Sequence, residues 1–511
     1  MPNVIAYGAL VIWPLVTLAI FASISVRKAI IWSLLLGYLL LPVRTAFDFP
    51  GVPAFDKTTI ANLSALVWAM IFSRQPVLRL PREWWLIGLM VVYVASPLGT
   101  VLSNPEPLIY GDVVLQGLRP YDAFSAAAYK AIDVIPFILG YNLLDRPRDR
   151  HEVLRAMVIA ALGYSLLMLI EIRLSPQLHN WLYGFFPHSF GQQIRGDGFR
   201  PVVFLGHGLL VAIFTSMAVV SAAYLTKIRL RLFGLPSWIW LVYLVLLLLM
   251  CQSLGALVLA LGAIAVVFVS RGKHVAQICA VGALLVLSYP MLRGADFVPV
   301  QPLADRISSV SADRGGSLQV RIDNENALLE RAGERPLLGW GGYGRNRVYN
   351  EATGRDLSVT DGSWIIIVGS YGWIGYIATF GLLCLPVIFA GTRVRKQLDP
   401  ASVALSLVLI TNLLDLIPNS SLGPITWLLA GILGASKAAF ANKRQLRVAR
   451  FMAQRVRLEN RVLKEERDIL KNCPGLGPPV RGRNVSWYGS GRRVAADSLL
   501  VWSEPLDFLQ R

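Results

Sequence analysis

Long apolar blocks recur along this chain, each about 15–25 residues, the length that crosses about 30 Å of hydrocarbon. Examples are residues 4–26, 84–102 and 202–225. With 16% charged residues and a mean hydropathy of +0.54, the chain is too apolar for a soluble globular protein, in which about a quarter of residues are charged. A segment isolated from water must satisfy its backbone internally, so the blocks are expected to be helices and the fold class all-α: a polytopic membrane helix bundle. About thirteen spans are expected, near 4–26, 29–46, 60–73, 84–102, 123–144, 153–172, 201–225, 236–252, 253–270, 275–292, 363–391, 401–417 and 422–441. The first block lacks a basic start and a small-residue cleavage site, so it is expected to be retained rather than removed as a signal peptide. The closest junction is 236–270, where two spans must meet at a tight turn near Gln252-Ser253.

Alternate short loops carry the basic residues: Arg27-Lys28, then Arg74/Arg79/Arg82, Arg146/Arg148/Arg150, Lys227/Arg229/Arg231, Arg271/Lys273 and Arg393/Arg395/Lys396. The positive-inside rule makes these cytoplasmic, with the N-terminus outside and the C-terminus inside a bacterial inner membrane. An odd number of spans keeps all of them on one side. The net charge of +18 is thereby explained without nucleic acid. The organisation expected is spans 1–10 over residues 1–292, a large extracytoplasmic loop over 293–362, spans 11–13 over 363–441 and a basic cytoplasmic tail over 442–511. That tail has fifteen Lys/Arg against seven Asp/Glu. Its helical part is expected to lie on the anionic inner leaflet or pair as a coil, and its Pro/Gly-rich remainder to be disordered. Cys251, Cys279 and Cys384 fall within spans and Cys473 in the tail, so neither a disulfide nor a cysteine metal site is expected.

The external loop holds nine arginines and no lysine, against ten acidic residues. A guanidinium is always charged and pairs bidentately with phosphate oxygens, which points to an anionic ligand such as a diphosphate. Arg200, Arg314 and Arg321 are the candidates. Alternatively, these arginines pair with the loop's own carboxylates. His207 is expected about two turns below Arg200 in the seventh span, where polar groups are costly and often functional; a lone histidine there can also simply bond a neighbouring helix. Gly339, Gly341 and Gly344 match a dinucleotide-binding spacing by coincidence, since no βαβ unit surrounds them, and a glycine-rich bend under a substrate channel is expected instead. Asp361, where loop meets membrane, is either a catalytic carboxylate or a helix cap. Lys130 and Asp133, three residues apart in the fifth span, are spaced to neutralise each other, or Lys130 reaches an anionic ligand.

In this order the motifs resemble those of the O-antigen ligase and polymerase family of bacterial membrane glycosyltransferases. The match consists of Arg200-x(6)-His207, the Ser253-x-Gly255 turn, Arg321 preceding Pro336-Leu337-Leu338-Gly339-Trp340-Gly341, and Asp361 eleven residues before Gly372 of a Gly372-x-x-Gly375 pair. It covers roughly residues 195–390. The resemblance implies a GT-C-like frame and metal-independent, inverting transfer, without a cofactor, from an undecaprenyl-pyrophosphate-linked oligosaccharide. Chain-length regulators or export machinery are the protein partners it suggests, besides the bilayer. Arg200 and Arg321 would hold the pyrophosphate, with Arg314 and Lys130 as weaker helpers. Asp361 would activate the acceptor hydroxyl, with His207 as the alternative base. Ligases of the family usually carry histidine where Asp361 stands, which favours polymerisation of exopolysaccharide, capsule or O-antigen repeat units. Leu254 replaces an arginine often found in the Ser-x-Gly turn. A glycolipid transporter or flippase would share the span count and basic inner loops, but inverted repeats and broken helices, its usual marks, are not evident in the sequence. A non-catalytic scaffold would account for the tail alone.

Overall fold

The computed structural model describes residues 1–435, apart from 50–51, 196–197, 296, 298–299, 311 and 393–398. By contacts the chain divides into Met1–Lys443 and Arg444–Arg511; the second unit, and with it the expected basic tail, lies outside the described residues.

The described part is mostly helical. In chain order it comprises α1 (Val4–Ser23), α2 (Val26–Leu40), α3 (Lys57–Phe72), α4 (Trp84–Leu102), α5 (Pro120–Asp133), α6 (Ile135–Leu143), α7 (Pro147–Leu174), α8 (Leu178–Tyr183) and α9 (Gly208–Lys227). Then follow α10 (Ser237–Met250), α11 (Leu254–Val269), α12 (Gly272–Gly294), α13 (Val300–Val310), α14 (Ala312–Gly333), α15 (Ser363–Thr392), α16 (Pro400–Asp415) and α17 (Pro424–Ala435). The strands described are short antiparallel pairs in the connections. Seven stretches are long and apolar enough to cross a bilayer, and α3, α10, α11, α16 and α17 are shorter apolar helices. The molecule is thus a helical bundle with the composition of a membrane protein.

The helix boundaries follow from capping chemistry. The Asn3 side chain accepts from the Ala6 amide at 2.9 Å and Asp56 from the Thr59 amide at 2.8 Å, each satisfying a donor that has no partner within its helix. Pro147 and Pro400 occupy first-turn positions, where the missing amide costs nothing. Between α10 and α11 the chain reverses through Gln252, whose φ is +49°, and so makes the tight turn expected there.

Helix α9 is the axis of the bundle. It is buried almost all round, packed by α7, α10, α11 and α16. Its Ala212, Ser216, Ala218, Ala222 and Ala223 are small enough for backbones to approach closely, the usual basis of helix association in lipid. The loops with basic residues gather at one end of the bundle. Arg27 pairs with Asp145 at 3.2 Å and Lys28 with Glu152 at 3.4 Å, and Arg150 reaches Asp399 at 3.5 Å. At the other end of α2, the Tyr183 hydroxyl donates to the Leu40 carbonyl at 2.7 Å and the Asn3 amide to the Tyr183 carbonyl at 3.0 Å. This second end carries the candidate site.

Candidate functional site

The seventh apolar block does not become helix where its hydropathy suggests. Residues 200–207 are irregular, with positive φ at Val203 (+48°) and Gly206 (+88°), and α9 starts only at Gly208. Irregular backbone buried among helices needs partners, and Glu171 of α7 supplies them. Its buried carboxylate accepts from the amides of Val202 and Val203, both at 2.7 Å, and from that of Leu178 at 2.9 Å. The Tyr164 hydroxyl takes the Phe204 amide at 3.0 Å. His207 is therefore not two turns down a helix. It is the N-cap of α9, its Nδ1 accepting from the Leu209 amide at 3.1 Å, and its ring meets that of His188 edge-on at 4.7 Å between centroids.

Arg200 opens the irregular segment. It is buried, 6% exposed, and its Nη2 donates to the Gln252 carbonyl at 2.9 Å. That bond ties the arginine to the α10–α11 turn, so two sequence-distant elements of the motif set meet at one guanidinium.

The opposite wall comes from the segment between α12 and α15. On α14, Arg321, Asn324, Glu325 and Leu328 recur at helical spacing and share a face. Arg321 Nε lies 3.5 Å from Asp361 Oδ2. The amide of Ser363 donates to the carbonyls of Leu416 and Asn419 at 3.0 and 3.1 Å, and among the described residues the Asp361 carboxylate meets Arg321. Glu325 receives Arg293 Nε at 3.3 Å; burial pushes its carboxyl above the usual range against the opposing pull of Arg293.

These groups converge. Arg200, His207, Arg321, Glu325 and Asp361 line one cavity of about 520 Å³, closed partly by Leu209, Leu328 and Ile365. A second cavity of about 470 Å³ shares His207, Asp361, Gln192, Leu209 and Val359 with it. Two compartments thus meet at His207 and Asp361. Glu325 is absent from the sequence-based candidates, although its position four residues beyond Arg321 in an amphipathic helix was a readable signal.

Other expectations come out differently. Lys130 is buried outside the cavity lining: its Nζ donates to Ser96 Oγ at 2.8 Å and sits 3.5 Å over the Tyr371 ring. Asp133, its expected partner, accepts instead from the Tyr93 hydroxyl at 2.9 Å and Trp427 Nε1 at 3.0 Å. The side chain of Arg314 lies outside the described residues. Most loop arginines are structural. Arg331 pairs with Glu334 at 2.7 Å and Arg347 with Asp356 at 2.5 Å, and buried Arg345 donates to the carbonyls of Gln116 and Glu106 at 2.9 and 3.0 Å.

The glycine-rich bend does not underlie the cavity. It fills a break in α15 at Gly372 (φ +63°), where the Trp340 and Gly341 amides donate to the Gly369 and Ser370 carbonyls at 2.8 and 2.9 Å. Among the described residues no three His, Cys, Asp or Glu side chains are grouped as metal ligands. No protein-family model matches the chain, and a search of curated proteins finds no match.

Proposed function

We propose that the protein is a membrane glycosyltransferase that polymerises or ligates undecaprenyl-pyrophosphate-linked glycan units at the outer face of a bacterial inner membrane. The observation that carries this reading is the convergence of Arg200 and Arg321 with Asp361 and His207 around one cavity. On this reading the chain crosses thirteen times with its N-terminus outside, and the cavity would then lie at the outer end, away from the basic loops.

The chemistry asked of the site is limited. An acceptor hydroxyl oxygen bonds to the anomeric carbon of the donor. The bond from that carbon to the diphosphate oxygen breaks, and the electron pair leaves with the diphosphate. The hydroxyl proton passes to Asp361 or His207. Two guanidinium groups beside the leaving diphosphate stabilise the charge that develops there, in a partly apolar cavity where such interactions are stronger than in water. Arg321 touches Asp361 through Nε, which leaves its terminal nitrogens for phosphate oxygens. Leu209, Val320, Ile322, Leu328 and Ile365 line the same cavity and suit the lipid-proximal part of the donor. Inversion at the anomeric carbon follows from the resemblance alone.

One observation favours a glycolipid flippase instead. The irregular segment at 200–207 and the break at Gly372 are interrupted helices of the kind transporters use. The break at Gly372, however, is plugged by residues 336–341 and does not open onto the cavity. Arg200→Ala and Arg321→Ala in a producing cell separate the readings. The transferase account expects polymer to disappear while single lipid-linked units collect on the outer leaflet. Collection on the cytoplasmic leaflet would establish the flippase.

A further inference from the structure

The two cavities differ in lining. Beyond the shared residues, the first is walled by aliphatic side chains of α14 and α15, by Arg200 and Arg321, and by Asn324 and Glu325. The second adds hydroxyl and amide groups (Ser358, Thr360, Asn419 and Ser420) together with His188 and two further arginines, Arg44 and Arg347. Hydroxyl and amide side chains at short range are what a polyol needs. They offer donors and acceptors to sugar hydroxyls without the desolvation cost of a full charge.

The two arginines are not equivalent. Arg347 is neutralised by Asp356 at 2.5 Å. Arg44 is exposed and has no ion-pair partner among the described residues, and its φ of +51° places it in the left-handed region, where a non-glycine residue carries backbone strain. A cation held on a strained turn at the rim of a cavity lined by hydroxyls and amides is an unbalanced charge facing that cavity.

We infer that the second cavity is the acceptor pocket and that it selects an acidic glycan, whose sugar carboxylate pairs with Arg44 while its hydroxyl is presented at His207 and Asp361. The inference rests on the transferase reading: with the donor diphosphate at Arg200 and Arg321, the acceptor has to approach from the other side of the shared residues, and the second cavity is that side. The donor unit, being the same repeat in a polymerisation, then carries the acidic sugar as well. The reaction that supplies this substrate must install a uronic acid or an acidic substituent before transfer.

Binding to the purified full chain in lipid nanodiscs tests this without relying on turnover. The probes are an oligomer of four glucuronic acid residues, the same oligomer with its carboxyls reduced to primary alcohols, and undecaprenyl diphosphate. The wild type is expected to bind the acidic oligomer about fivefold more tightly than the reduced one, the range of a partly exposed ion pair. Arg44→Ala should abolish the difference and Arg44→Lys restore part of it, with undecaprenyl diphosphate binding unchanged in both. Equal binding of the two oligomers, or a preference that survives Arg44→Ala, overturns the inference. Undecaprenyl diphosphate binding that ignores Arg321→Ala would instead overturn the transferase reading, so the two failures are distinct.

Discussion

Asp361 and Arg321 sit 3.5 Å apart, each about two-fifths exposed, and this modest pair is where residue-scale chemistry is most directly testable. An exposed ion pair contributes about 1 kcal/mol or less, so Asp361→Asn should fold and melt nearly as the wild type does. Its rate of transfer should nevertheless fall by about 10²–10⁴ if the carboxylate takes the acceptor proton. Near-normal turnover in a radiolabelled-glycan assay would pass that role to His207. His188 gives a pH prediction. Burial pushes its imidazole below the ordinary value, and the Arg44 cation pushes it the same way. The ring therefore stays neutral at pH 7 and takes a proton only in more acidic solution. Arg44→Ala removes the like charge and should move the titration upward, as read by nitrogen NMR of histidine-labelled protein; an unchanged midpoint would mean that burial alone sets it.

At the scale of elements, the irregular segment between Arg200 and α9 decides whether the site exists. Glu171→Ala leaves the buried amides of Val202 and Val203, and the half-buried amide of Leu178, without that acceptor, each buried one costing about 1–3 kcal/mol. The expected result is faster proteolysis between residues 175 and 207 together with loss of diphosphate binding. Unchanged cleavage would show that the segment holds itself. A second element-scale prediction concerns the break in α15. A Cβ at Gly372 would lie 2.3 Å from the Leu337 carbonyl at a φ suited to glycine, so Gly372→Ala should destabilise by about 3 kcal/mol or more, visible as a lower midpoint of thermal inactivation.

These same elements mark the limits of reading the sequence. Hydropathy locates a helix in each block and the tight turn at Gln252, because span length and apolarity are local properties. It could not show that residues 201–207 leave the helix, since their backbone partner, Glu171, stands on another helix. Nor could spacing show that Asp133 is held by Tyr93 and Trp427 rather than by Lys130. The arginine-rich loop was legible as a composition, but which of its arginines are spent on Glu334, Asp356 or backbone carbonyls is decided only by the packing that brings them together.

For the whole molecule, the account requires the cavity end of the bundle to face outward. Cysteines introduced singly at Thr353 and at Ser73 into a Cys473→Ser background test this, since Cys251, Cys279 and Cys384 are buried. Thr353→Cys should react with an impermeant maleimide in intact cells and Ser73→Cys only after permeabilisation; the reverse pattern would turn the molecule over. The central claim, that Arg200 and Arg321 hold a lipid diphosphate while its glycan is transferred, is tested most directly in reconstituted vesicles. Purified protein is incubated with an undecaprenyl-diphosphate-linked oligosaccharide and the products are resolved by size. The account predicts a ladder of lengthened glycans for the wild type that vanishes in Arg321→Ala while the fold is retained. A ladder that persists in Arg321→Ala, or a substrate that never lengthens yet crosses the bilayer, would contradict it.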